Sequence, residues 1–161
     1  MQLPSDLLAA LNDELTRERF SAALYLAAAG QFENMNLSGF AKWARKASKE
    51  ETGHARAFFD YITDRNAPPV LAAVAAVPTL PADAGALFSA ALKQEQIVSE
   101  ALRKINALAL NDGDYFTMEF LLWFLKEQVK SERELTEIVS KVNAHPNELL
   151  HIEHRLGKGK L

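Results

Sequence analysis

The sequence contains no cysteine among its 161 residues. This absence excludes disulfide bonds, zinc sites built from thiolates and cysteine nucleophiles, and it fits a reducing compartment. Any bound metal ion would therefore be held by carboxylate oxygens and imidazole nitrogens. Proline and glycine are also scarce, with six and seven residues, and four of the six prolines fall between positions 66 and 83. Little therefore interrupts long helices elsewhere in the chain.

The chain also lacks a strong charge imbalance and a long apolar run. Its 18 lysines and arginines are balanced by 21 acidic residues, for a net charge of -3, which gives no long-range attraction to nucleic acid. No stretch approaches the roughly 20 apolar residues that cross a bilayer, and no basic region followed by an apolar run opens the sequence. We therefore expect a cytoplasmic protein that has neither nucleic acid nor a membrane as a partner.

The remaining composition, 48% hydrophobic and 24% charged, is that of an ordinary globular protein. Helix-forming residues fill most of the chain, which predicts an all-α fold and a single domain over residues 1–161. The predicted helices cover about 5–35, 38–65, 83–110, 114–143 and 147–156.

Local signals predict how these helices start and connect. Ser5, Ser38 and Asp83 are candidate N-caps, because their side-chain oxygens can accept hydrogen bonds from free backbone N–H groups. The segment 66–83 is too long for a tight turn and predicts a crossover, so that the second and third helices run parallel. The short last helix has no obvious packing surface in a closed bundle, and we assign it to an intersubunit contact.

Polar residues at positions where helical spacing predicts apolar ones are candidate site residues, because a buried charge is costly unless it is paired or bound to metal. On the first helix, Glu18 lies two turns from Tyr25, which belongs to the apolar stripe. On the second helix, Glu51 and His54 have the Glu-x-x-His spacing, which offers a carboxylate and an imidazole to one metal ion. On the third helix, Glu95 lies among apolar residues.

On the fourth helix, either Glu127 or Gln128 must face the core, because both directly follow an apolar run. An isolated glutamate on a helix is usually a solvated surface residue, and the spacing of Glu51 and His54 alone would more often be chance than a site. The joint pattern is more informative, since a candidate ligand falls near the middle of each long helix. That coincidence predicts a metal site.

The segments that carry this pattern are ELTRERFSAALY, KEETGHA, KQEQ and LLWFLKEQVK. They resemble the corresponding segments of non-haem ferritins, and the resemblance extends over essentially the whole chain. It implies an antiparallel four-helix bundle with a long crossover and a short fifth C-terminal helix. It also implies a ferroxidase that oxidises Fe(II) with dioxygen or hydrogen peroxide and stores ferric oxide mineral in a homo-oligomeric, twenty-four-subunit cage, for iron storage and detoxification.

The resemblance assigns most candidates to a non-haem di-iron centre. By this resemblance, Glu18, Glu51 and His54 would bind one iron ion. Glu51 would bridge to a second iron ion bound by Glu95, and Gln128 would lie beside that second position.

The same resemblance assigns roles near the di-iron centre to three other residues. Tyr25 would contact the ligands and could give up an electron to the reaction. Glu50 and Glu127 match acidic positions near the centre that receive oxidised iron on its way out.

The sequence departs from related families at informative positions. Thr52 follows Glu51 where bacterioferritins bring a methionine to haem, and Gln128-x-x-Ser131 replaces a second Glu-x-x-His motif, so we expect no haem. Lys130 and Ser131 stand where many bacterial ferritins carry glutamates for a third iron ion. The fourth helix therefore looks more like the animal heavy-chain type.

Two alternatives to iron storage remain open from the sequence. One is a di-iron oxidase or peroxidase of the same fold without a storage role. The other is a helical assembly module in which the glutamates are only surface charges.

Overall fold

The computed structural model describes residues 2–159, and its secondary structure in this range is helical. The helices are α1 Ser5–Asn34, α2 Ser38–Asp64, α3 Ala84–Asn111, α4 Tyr115–Ala144 and α5 Leu149–Gly157, with a 3₁₀ helix at Pro146–Glu148. Each bound lies within two residues of the one expected from the sequence. None of the helices in residues 2–159 combines the length and the hydropathy that a bilayer crossing requires.

The direction of the helices follows from aromatic contacts at one end of the bundle. Phe32, near the end of α1, contacts Phe40 at the start of α2 and Phe88 near the start of α3, with ring centroids 5.4 Å and 5.0 Å apart. Helix α1 is therefore antiparallel to both, and α2 and α3 run in the same direction. The segment 65–83 connects them as the predicted crossover, and α4 completes the four-helix bundle.

Three helix ends use a residue with left-handed backbone geometry. Asn36, Asn66 and Gly113 have φ values of 58°, 56° and 64°, which asparagine and glycine tolerate better than other residues. Their N–H groups donate hydrogen bonds of 2.9 to 3.1 Å to carbonyls of the preceding turn. These turns fix where α1, α2 and α3 end.

The core consists of two apolar clusters separated by a polar layer. One cluster surrounds Phe32, Phe40 and Phe88, and the other surrounds Phe58 and Leu102 nearer the opposite end of the bundle. The buried polar residues of the layer are Glu14, Glu18, Ser21, Glu51, Gln94, Glu95, Ser99 and Gln128. The apolar clusters stabilise the bundle on both sides of this layer.

Helix α5 packs against its own chain. Ile152 and Leu156 are buried in the first apolar cluster, and Gly157 lies against Gly39 near the start of α2. The expectation that this segment has no packing surface within the chain is therefore wrong, because Gly39 has no side chain and leaves space for a crossing helix. Its contact with a second subunit stays a prediction.

The predicted N-caps have different outcomes. Asp83 is confirmed as a cap, because its side chain accepts a hydrogen bond of 2.7 Å from the first turn of α3. The predictions that Ser5 and Ser38 are N-caps are wrong, because neither side chain makes a capping hydrogen bond. At α2 the carboxylate of Glu153, from α5, accepts a hydrogen bond from the Gly39 N–H group instead. This carboxylate also lies at the positive end of the α2 dipole, which favours negative charge.

We predict that Gly39→Ala displaces α5. A Cβ atom at position 39 would overlap the backbone carbonyl and the carboxylate of Glu153, so Ile152 and Leu156 should lose their burial. Hydrogen exchange followed by mass spectrometry should show faster exchange across α5, with little change in α1. The control is Gly53→Ala on the same helix, where a Cβ atom would have nothing within 4 Å. Equal protection of α5 in both variants would contradict the close approach.

Candidate metal centre

Three ligand-type residues from two helices meet in the polar layer. Glu18 on α1 and the pair Glu51 and His54 on α2 each offer one ligand atom, and these atoms all lie within 4.8 Å of one another. Nδ1 of His54 lies 3.0 Å from Oε2 of Glu51 and 3.9 Å from Oε2 of Glu18. The structure thus brings together the residues that the resemblance assigns to the first iron ion.

Glu18 is the carboxylate of this group that makes no hydrogen bond within the described residues. Its side chain is 1% exposed, and among residues 2–159 neither carboxylate oxygen has a hydrogen-bond partner. Burial raises the pKa of Glu18 well above its usual range, and the charge of Glu51 raises it further. A buried carboxylate without partners is costly, and a bound cation would remove that cost. Two carboxylates and one imidazole form a donor set that suits a divalent transition metal.

Glu95 on α3 is held by side chains from two other helices. The Tyr25 hydroxyl donates a hydrogen bond of 2.5 Å to Oε1 of Glu95, and Nε2 of Gln128 donates one of 2.9 Å to Oε2. Burial and the charge of Glu51 raise the pKa of Glu95, while these two hydrogen bonds oppose the shift. All three residues are buried. Of the two candidates on α4, Gln128 rather than Glu127 therefore faces the core.

Glu51 connects the two halves of the group. Its charge raises the pKa of both Glu18 and Glu95, so Glu51 lies close enough to both carboxyl groups to influence their protonation. Burial lowers the pKa of His54. The hydrogen bond with Glu51 and the negative charge of Glu51 raise this pKa by more, so the net shift is upward. Since Glu18, Glu51 and Glu95 are all buried, the interpretation that these glutamates are surface charges is wrong.

The two outer acidic residues, Glu50 and Glu127, have different surroundings. Glu50 is exposed, pairs with Lys46 at 3.2 Å, and lines a cleft that also reaches Tyr25 and Glu95. Glu127 is only partly exposed and pairs with Lys130 at 2.6 Å. The structure places Glu50 at the mouth of a cleft leading from the buried carboxylates, and Glu127 on the face of α4 turned away from the core.

Comparison with known proteins identifies the family. The family model of the Ferritin-like domain matches residues 8–144. The chain belongs to the ferritin family. A bacterial non-heme ferritin from Staphylococcus epidermidis is 37% identical over 130 residues, which cover 81% of this chain and 78% of that protein. A protein of the same name from Staphylococcus aureus has the same identity and coverage. The resemblance stated from the sequence is thereby confirmed.

Solved ferritin structures match this ferritin along nearly its whole length. An open pore ferritin from the hyperthermophilic archaeon Archaeoglobus fulgidus has a TM-score of 0.93 and 30% identity, covering 97% of this chain and 98% of that chain. A humanized archaeal ferritin has a TM-score of 0.93 at 28% identity, covering 97% and 96%. The predicted four-helix bundle with a long crossover and a short fifth helix is confirmed.

Sequence reasoning missed one buried carboxylate of this ferritin. Glu14, one turn before Glu18 on α1, is completely buried. One of its oxygens, Oε2, forms an ion pair with Arg17, whereas Oε1 has no partner. Burial raises the pKa of Glu14 to about 7, while Arg17 opposes the shift. A signal was available, because Glu14 lies seven residues after Leu7 and so falls on the same helix stripe.

This raised pKa predicts a pH-dependent stability of the metal-free protein. Folded Glu14 keeps its proton up to about pH 7, whereas the unfolded chain releases it near 4.5. The stabilising contribution is therefore fully present below about pH 4.5 and is lost as the pH rises through about 7. Over that window the native protein should lose unfolding free energy relative to Glu14→Gln, by roughly 1.4 kcal/mol for each unit of pKa difference.

Chemical denaturation of the metal-free protein at fixed protein concentration would measure this difference across the pH window. Glu33→Gln is the matched control, because it makes the same change on the same helix at an exposed position. That control should follow the native protein at every pH. A constant difference between native protein and Glu14→Gln would contradict the raised pKa.

Proposed function

We propose that this ferritin oxidises Fe(II) to Fe(III) at the buried carboxylate group and stores the product as ferric oxide mineral. The observation that carries the proposal is the convergence of Glu18, Glu51 and His54, with Glu95 beside them, in a layer where Glu18 has two unpartnered oxygens. The name of the Staphylococcus relatives, bacterial non-heme ferritin, supports the same function.

The ligands would divide between two iron ions, which are the substrate. Glu18, Glu51 and His54 would hold one ion, and Glu51 with Glu95 would hold the second, next to Gln128. Carboxylates are hard oxygen donors that favour Fe(III), while the single imidazole still retains Fe(II) on arrival. The ligand set therefore makes oxidation of iron easier, without haem.

The electron balance requires both ions to react together. Two Fe(II) ions release two electrons, which reduce dioxygen to hydrogen peroxide or hydrogen peroxide to two water molecules. Either reduction takes up two protons. The role of the protein is to hold two metal ions within reach of one oxidant molecule.

Tyr25 and Gln128 would orient Glu95 toward the second ion. The Tyr25 phenol remains protonated, because burial and the charge of Glu95 raise its pKa well above the usual value. It can therefore give up an electron only together with its proton. Glu95, 2.5 Å away, provides an acceptor for that proton, which supports a role for Tyr25 as an additional one-electron donor.

Oxidised iron would leave through the cleft between the buried carboxylates and the surface. Glu50 and Glu134 line this cleft together with Glu95, so carboxylate oxygens are available from the centre outward. Carboxylates suit Fe(III). Glu127, two turns before Glu134 on α4, would receive iron beyond the cleft.

Storage also requires a closed homo-oligomer, for which we propose a twenty-four-subunit cage in the cytoplasm. Large apolar side chains are exposed on the single chain, among them Leu71, Phe116 and Trp123. Exposed apolar surface of this kind is typical of surfaces that a second protein covers.

Iron oxidation tests the proposed centre. After anaerobic addition of Fe(II) and then air, the ultraviolet absorbance of Fe(III) should grow rapidly in the native protein. It should grow more than about 100-fold slower in a Glu51→Gln, His54→Ala variant, since even loss of groups behind metal ligands costs about 10- to 100-fold. The exposed control Glu33→Gln should match the native rate. Equal rates in native protein and double variant would refute the proposed centre.

Size-exclusion chromatography of the native protein tests storage separately. The cage should elute near twenty-four times the 17.8 kDa of one chain, and iron added in excess should co-elute with it. Rapid oxidation by a small assembly that retains no iron would instead support the alternative, a di-iron oxidase or peroxidase of the same fold.

A further inference from the structure

Glu14 is a buried acidic residue that the proposed di-iron centre does not use. Its side chain is 0% exposed, although it occupies a helix stripe otherwise suited to leucine. The ion pair with Arg17 engages only Oε2. Within the part of the chain that the structure describes, oxygen Oε1 has no hydrogen-bond partner. Half of the carboxylate is therefore buried and unsatisfied, a situation that native proteins rarely leave without a ligand, water or ion.

Glu18 presents the same feature one turn later. Residues four apart on a helix have Cβ atoms about 5 to 6 Å apart, so the two carboxylates are neighbours. The charge of Glu14 raises the pKa of Glu18, which supports their proximity. Oxygen Oε2 of Glu18 lies 3.9 Å from His54, on the side of the proposed centre. Its Oε1 is also unpartnered, and is not needed for the contact with His54.

The groups around Glu14 include more carboxyl groups than basic groups. Arg17 and a side-chain hydrogen bond with Glu18 lower the pKa of Glu14, whereas the charge of Glu51 raises it, so the Glu14 and Glu18 carboxyl groups lie close enough to share a proton. Glu95 also acts on Glu18. A divalent cation would replace the protons that these buried carboxyl groups hold, and unpartnered carboxylate oxygens are suitable ligands for it.

We propose that Glu14 and Glu18 bind a further divalent transition cation through their Oε1 atoms, beside the di-iron centre and sharing Glu18 with it. The inference rests on the proposed function, because it takes Glu18 as a ligand of that centre. Two carboxylates without an imidazole provide fewer donors than the centre has, so water completes the coordination and binding is weaker. Fe(II) held here would share the ligand Glu18 with the ion bound by Glu51 and His54. The position is therefore a holding site that supplies the centre.

Co(II) binding tests this position, since its absorption spectrum reports coordination without iron oxidation. Calorimetric and spectroscopic titration should show one more Co(II) ion per subunit in the native protein than in Glu14→Gln. The additional ion should be the weakest one bound, and the tighter binding at the centre should be the same in both proteins. Glu33→Gln should bind as many ions as the native protein.

The possible results separate this inference from the proposed function. Equal stoichiometry and affinity in native protein and Glu14→Gln, with Co(II) still bound at the centre, would overturn the holding site alone. Native protein that binds no Co(II) would overturn the proposed centre as well. If Glu14→Gln does not fold, Glu14→Asp keeps the charge but withdraws the oxygens by one methylene. It should weaken only the additional site, by about tenfold or more, and unchanged binding would also overturn the inference.

Discussion

Negative charge buried at the middle of the bundle is the constraint on which the rest of this ferritin depends. Glu14, Glu18, Glu51 and Glu95 lie in one layer, and Glu18 has no partner for either oxygen. Such a layer weakens the metal-free chain, because buried carboxylates must be protonated or remain uncompensated. The apolar clusters on either side, built around aromatic side chains, provide the stability that the layer lacks. The same excess of carboxyl groups over basic groups gives the layer its affinity for cations.

Helix direction determines which carboxylates meet. Because α1 is antiparallel to both α2 and α3, its middle turns lie beside the middle turns of each. Glu18 thereby reaches the Glu-x-x-His turn of α2, and Tyr25, two turns later, reaches Glu95 on α3. The long crossover is what makes this geometry possible, since it returns the chain to the end of the bundle where α2 began. A tight turn in its place would have reversed α3.

The fifth helix is tied to the same element that carries Glu51 and His54. Glu153 of α5 accepts a hydrogen bond from the first turn of α2, and the pair Gly39 and Gly157 allows the two backbones to approach closely. Membership of the ferritin family explains the bundle, whereas the burial of Glu14 and this glycine contact are seen in the structure of this chain. They lie on opposite sides of the metal centre, one beside its ligands and one at the start of the helix that supplies them.

The sequence by itself determined the helices, their bounds, the crossover and most candidate ligands, because these depend on local spacing along a chain. Glu51 and His54 share a helix face wherever that helix packs. Only the tertiary structure decided that Gln128 rather than Glu127 faces the core, that Glu14 is buried, and that Glu153 takes the place expected for Ser38. Each of these depends on which helix faces meet. Helical spacing places Glu14 on the same stripe as Leu7, but only the packing of the other helices against that stripe buries it, and local spacing does not specify contacts between residues distant in sequence.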